Sequence, residues 1–163
     1  MRGSRSVLIG LCLIIIGCDS SQVYDEYQSL NSSWDKDELV EFKITPPDTT
    51  GAYDLFVNLR NTSDYKYSNI FIIVEMNHPN GKVLKDTLEY RMTTAEGEFL
   101  GSGFSDIKEN KLWYKEGYVF KESGEYIVKI SQAMRENRSV NGVEKLDGII
   151  DVGFRIERPK VSN

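Results

Sequence analysis

A chain of 163 residues with 40% hydrophobic and 28% charged residues has the composition of a folded domain, not of a disordered segment. Its formal charge of −5 argues against nucleic acid or anionic lipid headgroups as partners. One histidine and two cysteines narrow the available chemistry from the start.

Residues 1–17 read as a signal peptide, with Arg2 and Arg5 ahead of an apolar run from Val7 to Ile16. That run falls short of the roughly twenty residues a spanning helix needs, and polar chain follows from Asp19. Ile15, Ile16, Gly17 and Cys18 resemble a bacterial lipobox: a branched apolar residue, a variable one, a small one and a cysteine. Cys18 is therefore expected to become the mature N-terminus, its sulfur carrying diacylglycerol and its amine a further acyl chain of the palmitate type. Each buried methylene of such chains contributes about 0.8 kcal/mol to membrane attachment.

Removing 17 of 163 residues leaves 146, enough for one domain with a sizeable core. With Arg2 and Arg5 gone, 20 basic residues become 18 against 25 acidic ones, a formal −7. Cys12 leaves with the signal and Cys18 is consumed by lipid, so disulfides, thiolate metal sites and cysteine nucleophiles are excluded.

Residues 18–38 are polar and acidic and read as a lipid-anchored tether, within which Tyr24 and Tyr27 are either spacers or the docking face of one helical turn. From 39 to 159 the chain alternates apolar and polar residues in short segments, and 160–163 form a tail. Val40, Phe42 and Ile44 stop at Pro46 and Pro47; Tyr53, Leu55, Val57 and Leu59 stop at a turn-rich Asn61 to Asp64. Ile70, Ile72, Val74 and Met76 share one strand face while Phe71 and Ile73 occupy the other, predicting a central strand covered on both sides. Asn80 and Gly81 favour a tight hairpin into Leu84, Leu88, Tyr90 and Met92. Thr93 to Glu109 reads as a long loop, and 111–114 and 118–120 as short strands. A strand at Tyr126, Val128 and Ile130 follows, after which Gln132 to Arg138 is a helical turn or the end of that strand. Ile150, Val152, Phe154 and Ile156 then face inward, with Asp151, Arg155 and Glu157 exposed. The pattern predicts an all-β, antiparallel sandwich of the immunoglobulin-like kind.

The search for catalytic groups yields little. His78 sits in the predicted hairpin turn, exposed and without a second histidine or a thiol, which suits a structural role. Scattered carboxylates offer no preferred pair, and Gly97, Gly101 and Gly103 form no phosphate-binding fingerprint. The Asn-x-Ser sequons at Asn31, Asn61 and Asn137 are chance matches. Trp113, Tyr114 and Tyr118, near Phe99 and Phe104, either fill the core or form a contact surface for a protein or a sugar face. Exposure of Trp113 would favour saccharide binding, and its burial a protein scaffold.

Several stretches together resemble the GldH family of gliding-motility lipoproteins: VYDEYQSL, YDLFVNLRNTSDYKYSNIFI, PNGKVLKDTLEY, LGSGFSDIKENKLWYKE and GIIDVGFRIE. The resemblance implies an accessory or scaffold lipoprotein of the cell envelope, acting through protein contacts and linked to type 9 secretion. It implies an outer-membrane anchor and partners among other gliding and secretion proteins, with no cofactor and no catalytic residue. Of the family's functional residues only the lipidated cysteine transfers, to Cys18. It also implies O-glycosylation at Asp-Thr motifs, which places Thr49 and Thr87 as acceptors.

Overall fold

The computed structural model describes residues 21–31, 33–103, 105–136 and 141–160. The signal segment, Cys18, Phe104 and Asn137 lie outside the described residues. Ten strands, all paired antiparallel, make up the regular structure, and no helix occurs among the described residues.

Two four-stranded sheets face each other. The first takes the order β1 (Gln22–Ser29), β10 (Ile149–Glu157), β4 (Ala52–Asn61), β7 (Lys108–Val119). The second takes the order β3 (Val40–Ile44), β8 (Tyr126–Gln132), β5 (Asn69–Asn77), β6 (Val83–Arg91). A small pair, β2 (Ser33–Asp35) with β9 (Lys145–Asp147), closes one end of the core with the fully buried Trp34 and Leu146. The predicted antiparallel sandwich is the observed architecture.

Alternation explains the core. Val40, Phe42 and Ile44 meet Val57, Phe154 and Ile156 and their neighbours in one buried cluster, with Ile70, Ile72, Val74 and Met76 alongside. At 25 cal/mol per Å² or so, burying each such side chain stabilises the fold by about 1.5–3 kcal/mol. Tight approach is needed where the chain enters β10: Gly148 has φ +82°, and a Cβ there would fall 2.1 Å from the Tyr65 amide nitrogen.

Several expectations change. The tether does not extend to residue 38, because β1 is an edge strand of the first sheet and β2 caps the core; Tyr24 and Tyr27 lie on a strand, not on a helical turn. The two short strands expected over 111–120 are one strand, β7, kept continuous by bulges opposite Tyr53 and Leu55. Phe71 and Ile73 on β5 are half-buried, since no second layer covers that face among the described residues. In β10 a bulge between Ile149 and Asp151 shifts the register, so Ile149 is fully buried and Ile150 only half-buried. After Gln132 the chain leaves the sheet without forming a helical turn over the described residues.

Candidate functional site

The outward face of the first sheet carries most of the unusual chemistry. Pairing across the four strands sets Asp25, Arg155, Phe56 and Trp113 in one row, and Tyr27, Gly153, Asn58 and Lys111 in the next. Arg155 was expected in water, as was Glu157, yet their side chains are only 15% and 7% exposed. Long neighbouring side chains cover them. Arg155 Nη1 donates to Asp25 Oδ2 at 2.6 Å and its Nε donates to Glu157, while Lys111 Nζ reaches the same Glu157 oxygen at 2.6 Å. Burial acts to raise the Glu157 pKa, but the hydrogen bonds from Lys111 and Arg155 outweigh it and hold the carboxyl below its ordinary range.

Gly153 makes room for an aromatic lid. A Cβ there would lie 2.8 Å from the Tyr27 ring, which rests on the bare backbone. The Arg60 guanidinium stacks on that ring at 4.1 Å and bonds Glu109 at 2.9 Å. Beneath this lid Asn58 donates to the Tyr27 hydroxyl at 2.9 Å, and burial raises the pKa of that hydroxyl to about 12. The Asn58 Oδ1 is buried without a hydrogen-bond partner among the described residues.

Trp113 is 55% exposed. Its ring packs 4.4 Å from Phe56, and the Lys111 ammonium lies over the Phe56 ring at 4.1 Å. The indole walls a shallow cleft with Asp54, Glu116, Arg158 and Lys160. Tyr114 and Tyr118 do not join it. Tyr114 points into the sandwich against Phe154 and donates to Asp86 at 2.9 Å, while Tyr118 turns toward Phe120 and His78. The three residues, consecutive or nearly so in sequence, therefore serve three places.

His78 is not exposed as expected. Its side chain is 7% exposed, with Glu122 on Nδ1 at 3.1 Å, the Tyr118 hydroxyl on Nε2 at 3.2 Å and the Tyr126 ring 5.0 Å away. Such a carboxylate–imidazole–phenol chain could relay a proton, but burial pushes the Tyr118 pKa up to about 12, against use of its oxygen as a base. The contacts tie the β5–β6 turn to β7 and to the loop before β8. Sequence reasoning missed this cluster because its members lie 40 and 44 positions apart.

On the second sheet, Phe71, Ile73, Ala133 and Met134 floor a groove of about 630 Å³ flanked by Lys66 and Arg135. Thr87 stands exposed on its wall. Thr49 is exposed in the loop before β4, where the Asp48 carboxylate accepts the Thr50 amide and the Tyr53 hydroxyl, at 2.9 and 2.6 Å. Those bonds hold the Asp48 pKa down to about 2.

Two solved chains from infectious bursal disease virus, one a VP2 subviral particle and the other a Gx-strain structure, are aligned at TM-scores of 0.37 and 0.33 and identities of 11% and 12%. This chain spans 94% and 96% of itself there but only 38% and 37% of the viral chains. A gliding motility lipoprotein GldH homolog of Christiangramia forsetii is 55% identical over 160 residues, covering 97% of this chain and 98% of that protein. The gliding motility lipoprotein GldH of Flavobacterium johnsoniae is 47% identical over 155 residues, covering 95% and 96%. Residues 22–156, from the first residue of β1 almost to the end of β10, match the family described as GldH lipoprotein, so the strands that build both sheets are those of the family and the chain belongs to the GldH lipoproteins.

Proposed function

We propose that this gliding-motility lipoprotein is a non-catalytic accessory or scaffold component, linked to type 9 secretion and held on the outer membrane through acylated Cys18. The observation that carries the reading is its 47–55% identity, over nearly the whole chain, to lipoproteins named for gliding motility. Action through protein contacts is supported by the groove on the second sheet, where Phe71 and Ile73 stay half-buried between Lys66 and Arg135. A partner of the gliding or secretion set that buries these two side chains would recover the hydrophobic stabilisation the free protein forgoes.

The test is genetic and chemical together. Cells carrying Phe71→Asp with Ile73→Asp, at wild-type protein abundance, should lose spreading and adhesin export. A photoreactive residue at 71 should crosslink to an envelope protein that mass spectrometry identifies as one of the gliding or secretion set. Normal spreading in the double variant would reject the contact surface. A second reading, saccharide binding, is favoured by the exposure of Trp113 in its cleft. Shielding of that indole from an aqueous quencher by envelope polysaccharide is the measurement that would support it.

A further inference from the structure

We propose that the groove on the second sheet receives an extended, acidic segment of a partner protein, its apolar side chains on Phe71 and Ile73 and its carboxylates among Lys66, Arg91 and Arg135. The inference rests on reading that groove as a protein contact surface. Strand register explains why the face is hollow there. On its outward side Ile73 stands between Thr87 of β6 and Ser131 of β8, and Phe71 lies beside Ala133, whose amide donates to the Phe71 carbonyl at 2.8 Å. Two large apolar side chains on a central strand therefore have small neighbours, and both stay half-buried while Ile70, Ile72 and Val74 on the inward side are fully buried. β8 leaves the sheet at this point. The Phe71 amide meets the Met134 thioether at 3.2 Å, a weak acceptor where a strand partner would offer a carbonyl.

The charges on this face fall into two groups. Farther along β5 they neutralise one another: Lys85 lies 3.5 Å from Glu75 and Lys129 4.0 Å from Glu41, all in the row that crosses Glu75. Around the start of β5 they do not. Arg91 is paired opposite Asn69 on the β6 flank, Arg135 follows Ala133 and Met134 on the β8 flank, and Lys66 stands in the loop ahead. All three are exposed, and none forms an ion pair among the described residues. The carboxylate that lines this end, Glu89, accepts from the Asn69 amide at 2.6 Å. Past Ser68 and Asn69 the hollow continues into a second one of about 640 Å³, walled by Arg91 and Thr93, so the cationic end is open.

An apolar floor with cations at one open end selects its occupant. In a chain of formal charge −5, three unneutralised cations set a local positive field opposite in sign to the whole, which steers an acidic segment in and turns a basic one away. The floor asks for an extended chain. Phe71 and Ile73 are two residues apart on a strand, about 6.6 Å, which is the spacing at which another extended chain presents its alternate side chains. Continued by the same alternation, the next side chains of that segment reach Arg91, Arg135 and Lys66, where carboxylates complete the contact.

A photoreactive residue placed at 73 in the full chain, in cells, captures whatever lies on the groove, and mass spectrometry then reads the sequence of the captured segment. That segment should carry more Asp and Glu than Lys and Arg. Its yield should fall about tenfold or more when Lys66→Glu, Arg91→Glu and Arg135→Glu are combined. Lys43→Glu, Lys121→Glu and Lys160→Glu together change the net charge equally, away from the groove, and should leave the yield unchanged. Abundance and urea midpoint should match wild type in the first variant, because its three cations pair with nothing; if they do not, Gln at the same positions carries the same test with a smaller loss. A neutral or basic segment, or equal yields from the two charge-reversed proteins, would overturn the acidic partner and leave the contact surface standing. Capture of a second copy of this chain or of polysaccharide would likewise overturn the proposal. Capture of nothing, from 71 or from 73, would remove both this proposal and the contact surface.

Discussion

Replacing Arg155 with Met keeps most of the aliphatic stem and removes the guanidinium that bonds Asp25, Glu157 and Gln22. Two carboxylates, 16% and 7% exposed, would then lose their shared partner. Hydrogen bonds to charged groups contribute about 1.5–3 kcal/mol each when lost from one side, but Lys111 still serves Glu157 and Asn58 still reaches Asp25. The net loss should be about 2 kcal/mol near neutral pH. It should also shrink in acid. Glu157 has a folded pKa below its unfolded value of 4.5, so its contribution is complete above that value and disappears as pH falls through the lower, folded one. The gap between wild type and Arg155→Met should therefore be largest above about pH 5 and narrow below about pH 4. Urea denaturation of the acyl-free mature chain, followed by tryptophan emission across that range, measures both. A loss under about 0.5 kcal/mol, as for an ordinary surface residue, would refute the covered network.

The neighbouring residue tests the other face. Phe154→Ala empties a fully buried site between the Phe42 and Tyr114 rings and should cost about 3–5 kcal/mol in the same denaturation assay. His78→Gln should lower stability by about 1 kcal/mol through the lost Glu122 and Tyr118 bonds, yet leave cell spreading intact; a well-folded variant that cannot glide would give the imidazole a direct role. Cys18→Ala should be exported but recovered in the aqueous phase of a detergent partition, because the anchoring methylenes hang from that sulfur. Retention in the detergent phase would point to a second attachment.

The strands that lie over the core on one face were legible because their sequence alternates. Val40, Phe42 and Ile44, or Ile70 to Met76, could hardly be read otherwise. β1 was not, for a physical reason: it is an edge strand whose residues are half-buried or exposed with none fully buried, so no residue type is excluded and VYDEYQSL carries no period. Arg155 and Glu157 misled in the opposite way. They alternate with Val152, Phe154 and Ile156 as solvent-facing residues should, and they do face outward. What alternation cannot reveal is that Asp25, Lys111 and Tyr27, brought from other strands, cover that face. The one local hint was Gly153, a glycine inside a strand, which marks close approach by another group. Trp113 is the exposed member of its group; Tyr114 and Tyr118 were joined to it only by sequence proximity, and the strand's pleat sends Tyr114 inward.

The charged cover on the first sheet also bears on why Trp113 stands alone. An outward face lined with apolar residues, on a domain held against a bilayer, would lie flat on the lipid or pair with a second copy. Here the outward apolar residue of β4, Phe56, is hidden beneath Trp113 and Lys111, and the remaining positions of its two rows are ions, an amide and a tyrosine stacked under Arg60. Solvated ion pairs resist transfer into lipid far more strongly than an indole does, since each charge would have to shed water that its partner replaces only in part. The paired charges thus leave Trp113 as the one well-exposed large apolar side chain on the strands of the first sheet, among the described residues.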